Sequence, residues 1–161
     1  ALPISLYQGK ITLPAPMIFG IGFLVLFTIG GITGLYLGVM GSDIHLHDTY
    51  FVIAHFHFTM VGGMLVGWLA GLHFWWPKMT GRMYNDALAS LSALLVFVGF
   101  NLTFFPQFIL GYLGMPRRYH MYPPEWQVLN VLSSAGATVL GAGYALCLAY
   151  LLYSFFRGEK A

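Results

Sequence analysis

The side chains of this sequence that could carry chemistry are concentrated in residues 47–57, which read HDTYFVIAHFH. The segment holds three of the six histidines and one of the five acidic residues, and residues 58–77 after it contain no charged side chain. Imidazole is a common metal ligand and proton carrier. Ionisable side chains inside or beside a membrane span are costly to keep, so such a cluster indicates a functional site.

His55 and His57 are two residues apart, and this spacing limits what they can bind together. On an α-helix, residues i and i+2 lie about 200° apart around the axis, so the two imidazoles point to opposite sides. Ligands of one ion on one helix face would need an i, i+3 or i, i+4 spacing. If both histidines bind metal, they bind two centres with Phe56 between them. From a helix start near Thr49, both lie roughly 10 Å below the membrane surface.

Heme iron suits an isolated imidazole in an apolar span, because the porphyrin supplies its own apolar bulk. A closed zinc site would need three or four protein ligands together, which the sequence does not offer near His55 or His57. Heme carries anionic propionates, and the adjacent Arg117 and Arg118 could pair with them bidentately. Two histidines that only pack helices through hydrogen bonds fit the spacing equally well, so both interpretations stay open here.

His47 and Asp48 precede the second apolar segment, on the same side as the two arginines. An adjacent imidazole and carboxylate could hold a hard divalent cation, which would need further oxygen ligands or water. Asp is also a common N-cap residue, so Asp48 could instead cap the following helix. The local sequence leaves both roles open and favours capping.

Composition places these residues in an all-α membrane protein. Hydrophobic residues make up 58% of the 161 residues and charged residues 7%, whereas soluble domains carry about 25% charged residues. The net charge of +2 is too small to favour nucleic-acid binding. A span needs about 20 apolar residues. Four segments qualify, at residues 15–40, 49–76, 87–113 and 126–156.

Charge sets the expected orientation of these four transmembrane helices. The termini and the connection between the second and third spans lie on one side, which carries five of the seven basic residues: Lys10, Lys78, Arg82, Arg157 and Lys160. The positive-inside rule then places both termini inside. Arg117 and Arg118 are the exception, on the same outer side as the histidine segment.

Four segments of the sequence resemble subunit I of the heme-copper oxidases. They are HDTYFVIAHFH at residues 47–57, GMPRRY at 114–119, FTIGGITG at 27–34 and NLTFFPQ at 101–107. The resemblance covers essentially the whole chain. It is nearest to the A-type cytochrome c oxidases, and Pro116 between Met115 and Arg117 is more typical of these than of quinol oxidases. The implied fold is the last third of a bundle of about twelve helices of this length.

The resemblance implies two hemes of the A type on opposite sides of the second span. His55 would be the axial ligand of the high-spin heme, where oxygen is reduced. His57 would be one axial ligand of the low-spin heme, which passes electrons on. Phe56 would sit between the two hemes. A copper centre completes such a site in the family, with ligands that lie outside this chain.

The resemblance also implies roles for the polar residues of the outer side. Arg117 and Arg118 would pair with heme propionates, and Asp43 would lie beside a propionate of the high-spin heme. His47 and Asp48 would be ligands of a redox-inactive magnesium ion. This last implication reverses the preference for helix capping by Asp48.

The implied activity is that of a terminal respiratory oxidase, which reduces oxygen to water with electrons from cytochrome c and translocates protons. The chain begins with Ala1 and lacks the copper ligands, so we expect a part of subunit I that is inactive alone. Expected partners are the remaining N-terminal spans, oxidase subunits II and III, cytochrome c and the lipid bilayer, without nucleic acid. The expected location is a bacterial or archaeal plasma membrane or the mitochondrial inner membrane.

Three other functions compete with this interpretation. A quinol oxidase subunit would differ only in its electron donor. A four-span heme protein for electron transfer would need a second histidine at matching depth for each heme, and the sequence has none. A transporter or packing subunit would tolerate loss of His55 and His57.

The remaining candidate side chains receive structural interpretations. His73 is expected at the membrane interface beside two tryptophans, and His45 and His120 at the surface. Cys147 is expected to be a small packed residue. Phe104 is expected in the apolar core.

Overall fold

The computed structural model describes residues 6, 7 and 9–161, and over these residues the fold is entirely helical apart from two isolated β-bridges. The α-helices are α1 (Ala15–Gly38), α2 (Met40–Leu46), α3 (Tyr50–Thr59), α4 (Val66–Thr80), α5 (Asp86–Tyr112) and α6 (Gln127–Arg157). A π-helix, Met60–Leu65, joins α3 to α4, and a 3₁₀-helix, Pro124–Trp126, leads into α6.

Four continuous helical stretches are long and apolar enough to cross a membrane. They are Ala15–Gly38, Tyr50–Thr80, Asp86–Tyr112 and Pro124–Arg157, and they contain 24, 31, 27 and 34 residues. Each exceeds the roughly 20 residues that a bilayer requires. The predicted all-α fold with four transmembrane helices is therefore confirmed, and the chain is an integral membrane protein.

Two observed span ends differ by a few residues from the approximate positions expected from the sequence. The first span ends at Gly38 instead of continuing to Met40, because Val39 is extended (φ −93°, ψ 116°) and the separate helix α2 begins after it. The second span does not stop before Pro77 but continues through it to Thr80. A proline so near a helix end removes one backbone hydrogen bond without breaking the helix. Gly81, at φ 66°, then ends the helix in the left-handed conformation.

The first three spans pack against one another: α1 packs against α3, α4 and α5, and α3 packs against α5. The fourth span packs mainly along α5. Two sides of the membrane follow from this order. The termini side contains the residues before α1, the connection 81–85 and the residues after α6. The loop side contains residues 39–49 and 113–123.

A small backbone clamp closes the termini side. Arg82 and Lys160 form an isolated antiparallel bridge, and the Met83 amide donates to the Glu159 carbonyl at 2.8 Å. The Arg82 guanidinium donates to the Phe156 carbonyl at 2.7 Å. The chain that follows α6 is thus tied to the connection between the second and third spans.

Candidate functional site

His55 lies in the sixth position of α3 and faces α1. Its Nδ1 is 2.9 Å from the Gly30 carbonyl oxygen and 3.2 Å from the Thr33 hydroxyl. A carbonyl oxygen only accepts hydrogen bonds, so the ring proton is assigned to Nδ1 and the lone pair to Nε2. Nε2 has no hydrogen-bond partner among the residues described, and the side chain is half-buried.

Two glycines allow α1 to approach this histidine. A Cβ built on Gly34 would lie 2.8 Å from His55 Cε1, and a Cβ on Gly30 would lie 2.8 Å from the Thr59 methyl carbon. Neither distance leaves room for a side chain. The GGITG sequence of α1 therefore serves a physical purpose, since it brings the Gly30 carbonyl into hydrogen-bond range of the imidazole.

His57 lies one position past Phe56 and faces a different helix. Its Nδ1 is 2.8 Å from the Ile53 carbonyl oxygen of its own helix. Its ring stacks on Phe104 of α5, with centroids 4.2 Å apart and planes 17° apart. Its Nε2 also lacks a partner in the described part of the chain. The two histidines thus contact different helices, α1 and α5, as their spacing predicts.

This arrangement is common among metal-binding histidines. A ligating imidazole commonly donates its second nitrogen to a carbonyl or carboxylate, which fixes the ring and makes the ligating nitrogen more basic. His55 and His57 both have the Nδ1 bond in place and Nε2 free of hydrogen bonds. They could each coordinate one metal, and on separate faces they could not share one.

Arg117 reaches this site from the loop that follows α5. The loop is fastened to the start of α3: the Tyr50 amide donates to the Met115 carbonyl at 3.0 Å, and the Arg117 amide donates to the Asp48 carbonyl at 2.9 Å. The Arg117 guanidinium carbon lies 6.0 Å from the centre of the Phe56 ring, and Nη1 lies 3.7 Å from the Asp48 carboxylate. The two sequence motifs that suggested heme therefore meet in space.

One atom of Arg117, Nε, is buried and has no hydrogen-bond partner among the residues that the structure describes. An unpaired donor of a charged group is expensive to bury. A carboxylate such as a heme propionate would satisfy it, so the residues present fit that group. Arg118 differs from its neighbour: it is exposed, at φ 66°, and joins none of the polar contacts that the structure describes around Phe56.

His47 lies between two carboxylates on the loop side. Its Nδ1 is 3.6 Å from Asp43, and its Nε2 is 3.9 Å from Asp48. Within residues 6–7 and 9–161, no group of three or more His, Cys, Asp or Glu side chains is arranged to hold a metal ion. A cation here would need ligands from elsewhere. The capping alternative for Asp48 was wrong: Thr49 caps α3, accepting from the Phe51 amide at 3.3 Å.

His73 was wrongly predicted to lie at the membrane interface. It is 1% exposed and both ring nitrogens have partners, because Nδ1 is 2.7 Å from the Leu69 carbonyl and Nε2 is 2.5 Å from the Tyr150 hydroxyl. The Tyr150 hydroxyl also lies 3.4 Å from Cys147 Sγ. Tyr150 lies 77 residues after His73 in the sequence, so the residues around His73 could not predict this contact.

Other sequence predictions had mixed outcomes. His45 and His120 are exposed and Cys147 is buried, as expected. Phe104 was expected to be a plain core residue, but it forms the stacking surface for His57. Sequence reasoning missed it because ring stacking between helices leaves no local signal. It also missed Thr33, although the GGITG segment that contains it had been noticed.

Comparison with known proteins places these motifs in context. A family model described as Cytochrome C and Quinol oxidase polypeptide I matches residues 2–139. A cytochrome c oxidase subunit 1 from Synechocystis sp. is 48% identical over 157 residues, covering 98% of this chain and 28% of that protein. A relative from Staphylococcus haemolyticus, described as a probable quinol oxidase subunit 1, is 42% identical over 159 residues, covering 98% of this chain and 24% of that protein.

A solved structure gives the same result for the fold. One described as a heme-copper terminal oxidase dimer matches with a TM-score of 0.81 and 27% sequence identity, over 91% of this chain and 27% of that chain. The chain spans about a quarter of the length of these proteins.

Proposed function

Because this chain belongs to the heme-copper oxidase subunit I family, we propose that it forms the C-terminal part of the catalytic subunit of a terminal respiratory oxidase. The whole subunit would reduce oxygen to water with electrons from cytochrome c and would translocate protons. The observation that carries this proposal is the pair of imidazoles, His55 and His57, fixed through Nδ1 and open at Nε2 on two faces of one helix.

The roles of the two histidines differ because their surroundings differ. His55 would ligate the iron of the high-spin heme, with its ring held by the Gly30 carbonyl and the Thr33 hydroxyl of a neighbouring helix. His57 would ligate the low-spin heme, with its ring held against Phe104. When bound, the hemes and the copper supply electron transfer and oxygen chemistry. Phe56, which stacks on His57 at 4.4 Å, would separate the two sites.

The polar residues of the loop side would neutralise the anionic edges of the hemes. Arg117 is the stronger candidate for a propionate partner, since its Nε is buried and has no partner within residues 6–7 and 9–161. Arg118 and Asp43 would act in the solvated part of the same region. His47 and Asp48 would hold a magnesium ion, completed by ligands from other parts of the subunit or by water.

The partners proposed for this chain come from the family to which it belongs. Family members form part of multi-subunit complexes. The remaining spans of subunit I would supply the copper ligands and the second ligand of the low-spin heme, and subunits II and III and cytochrome c would be further partners. The excess of basic residues on the termini side would place both termini inside, in a bacterial or archaeal plasma membrane or the mitochondrial inner membrane.

The test is the reduced-minus-oxidised visible spectrum of the purified complex that contains this chain. The His55→Ala variant should lose the high-spin heme signal and the His57→Ala variant the low-spin signal. The His45→Ala variant, which changes an exposed histidine of the preceding helix α2, should retain both signals. A wild-type spectrum in both ligand variants would exclude the assignment.

A quinol is a second candidate for the electron donor, favoured by the relative from Staphylococcus haemolyticus. The two donors are separated by steady-state oxygen consumption of the intact complex. Turnover with reduced cytochrome c and none with a short-chain quinol supports the first proposal. The opposite result assigns the quinol and leaves the roles of His55 and His57 unchanged.

A further inference from the structure

A cavity of about 580 Å³ opens between α5 and α6 on the termini side, far from the two proposed heme ligands. Its part nearer the middle of the membrane is lined by the apolar residues Leu88, Leu146 and Ala149. Its mouth is lined by polar side chains of α6 and of the connection before α5. An apolar pocket with a polar rim at the depth of the membrane surface is shaped for an amphiphile.

The mouth of this cavity carries one cation and one anion that do not pair. Arg157 ends α6 and Glu159 follows two residues later. No ion pair joins them to each other, or to another charged side chain in the part of the chain that the structure describes. The backbone clamp holds them in place, since the Glu159 carbonyl accepts from the Met83 amide and the Gly158 amide donates to the Ser154 carbonyl.

Neutral donors complete the mouth. Tyr153 is exposed and lines the cavity together with Arg157, and Tyr84 lines the same cavity. Burial and the nearby Asp86 carboxylate raise the pKa of Tyr84 to about 12, so its hydroxyl keeps its proton at physiological pH. Tyrosine is a favoured residue at this depth because its ring is apolar and its hydroxyl is polar.

We propose that this cavity binds one phospholipid with a zwitterionic headgroup, of the phosphatidylethanolamine class, from the leaflet on the termini side. The phosphate would pair with Arg157 and the tyrosine hydroxyls, and the ammonium would pair with Glu159. The first part of one acyl chain would lie along Leu88 and Leu146.

The charge pattern favours this lipid over an anionic one. The termini side as a whole carries five basic and two acidic residues and would attract any anionic lipid through its general field. The cavity mouth is different, because its single arginine is matched by a single glutamate. A headgroup with only negative charge would leave Glu159 unpaired and repelled, whereas a phosphate–ammonium pair satisfies both side chains.

Native mass spectrometry of the intact complex tests this site. The complex is delipidated in detergent and given equal amounts of phosphatidylethanolamine and phosphatidylglycerol. The wild type should retain phosphatidylethanolamine about fivefold better, the effect of one interfacial charge. Glu159→Gln should abolish that preference, and Arg157→Gln should weaken retention of both lipids. Glu125→Gln, which removes the same charge on the loop side, should change neither.

Equal retention of both lipids by the wild type would overturn the proposal, as would a preference for phosphatidylglycerol. So would a preference that survives Glu159→Gln, or a complex that retains no lipid because its other spans fill the cavity. Arg157 and Glu159 are exposed, and an unchanged heme spectrum in each variant confirms that the complex is intact. That control does not depend on which electron donor the oxidase uses.

Discussion

The second span contains three histidines whose Nδ1 atoms have similar partners and whose Nε2 atoms differ. His55, His57 and His73 each direct Nδ1 to a backbone carbonyl, at 2.9, 2.8 and 2.7 Å. His73 Nε2 is then closed by the Tyr150 hydroxyl, while the other two have no partner at Nε2 in the described residues. Residue type and depth in an apolar helix do not distinguish these three histidines, whereas the presence or absence of a partner at Nε2 does.

The two ends of the span are also held together differently. Near His55 the helices meet through missing side chains, since Gly30 and Gly34 let α1 approach α3. Near His73 they meet through side chains, because Tyr150 and Ser154 of α6 bond to His73 and Trp76, the latter at 3.0 Å. The helices of the loop-side end therefore approach each other at glycines, whereas those of the termini-side end are joined by side-chain hydrogen bonds.

The largest expected effect comes from removing the hydrogen bond between His73 and Tyr150 at the termini-side end. The His73→Ala variant leaves a cavity and removes the imidazole partner of the Tyr150 hydroxyl, so it should cost about 3 kcal/mol of stability. Thermal unfolding of the complex measures this loss, and the heme spectrum of the folded fraction should stay unchanged. Tyr150→Phe, which removes only the oxygen, should cost less. A changed heme spectrum in His73→Ala would break the division between the two ends.

An intermediate effect comes from adding a side chain where α1 approaches α3 near His55. The Cβ of a Gly34→Ala variant would meet the His55 ring at 2.8 Å, and such overpacking costs about 1–3 kcal/mol. It should also displace the imidazole and shift the high-spin heme band. Gly67→Ala is the matched control on the same pair of spans, because its Cβ would meet Phe23 at an ordinary 3.4 Å. Equal spectral shifts in both variants would contradict the proposed specificity.

A smaller effect separates the two arginines. Arg117→Gln removes a partly buried positive charge near the proposed propionates, which stabilises the oxidised heme and should lower its midpoint potential by tens of millivolts, on the order of 1 kcal/mol. Arg118→Gln removes an exposed charge and should shift the potential far less. Spectroelectrochemical titration compares them, and the reverse order would refute the assignment of Arg117 as the closer partner.

The smallest effect concerns the proton of Tyr84. An ordinary tyrosine titrates near 10.0, and burial with Asp86 raises the pKa here to about 12. The protonated form is favoured by folding, so this stabilisation is present below pH 10 and is lost as the pH rises through about 12. Difference absorption titration of wild type against Tyr84→Phe should show the missing phenolate signal near pH 12. A signal centred near pH 10 would contradict the burial of this ring.

The sequence was sufficient for the number and positions of the spans, because length and apolar composition alone determine them. It was not sufficient for their ends. The apolar run is continuous through Val39, so nothing in composition marks the break there. Asp48 and Thr49 are both good cap residues, and the choice of Thr49 depends on backbone geometry: Asp48 takes φ 55° and its carbonyl accepts from Arg117.

The features of the candidate site that depend on residues close in sequence could be predicted, and the contacts between distant segments could not. The spacing of His55 and His57 predicted two separate faces, which the contacts with α1 and α5 match. The roles of both histidines as heme ligands stay a prediction. The closure of His73 by Tyr150 and the stacking of Phe104 on His57 join distant segments, and helices that are apolar all round give no periodic signal for which face meets which neighbour.

The π-helix Met60–Leu65 lies between the two ends of the second span. A π-helix holds one residue more than the α-helical path it replaces, and each α-helical residue turns the chain by about 100°. If the same residues formed a regular α-helix instead, the half of the span that carries His73 would turn by about 100° relative to the half that carries His55 and His57, and His73 would face away from Tyr150. Deleting one residue within the π-helix should restore a regular helix and leave both halves facing as they do now. The extra residue of the π-helix therefore sets a fixed rotation between the two halves of the second span, so that each half can face different neighbouring helices.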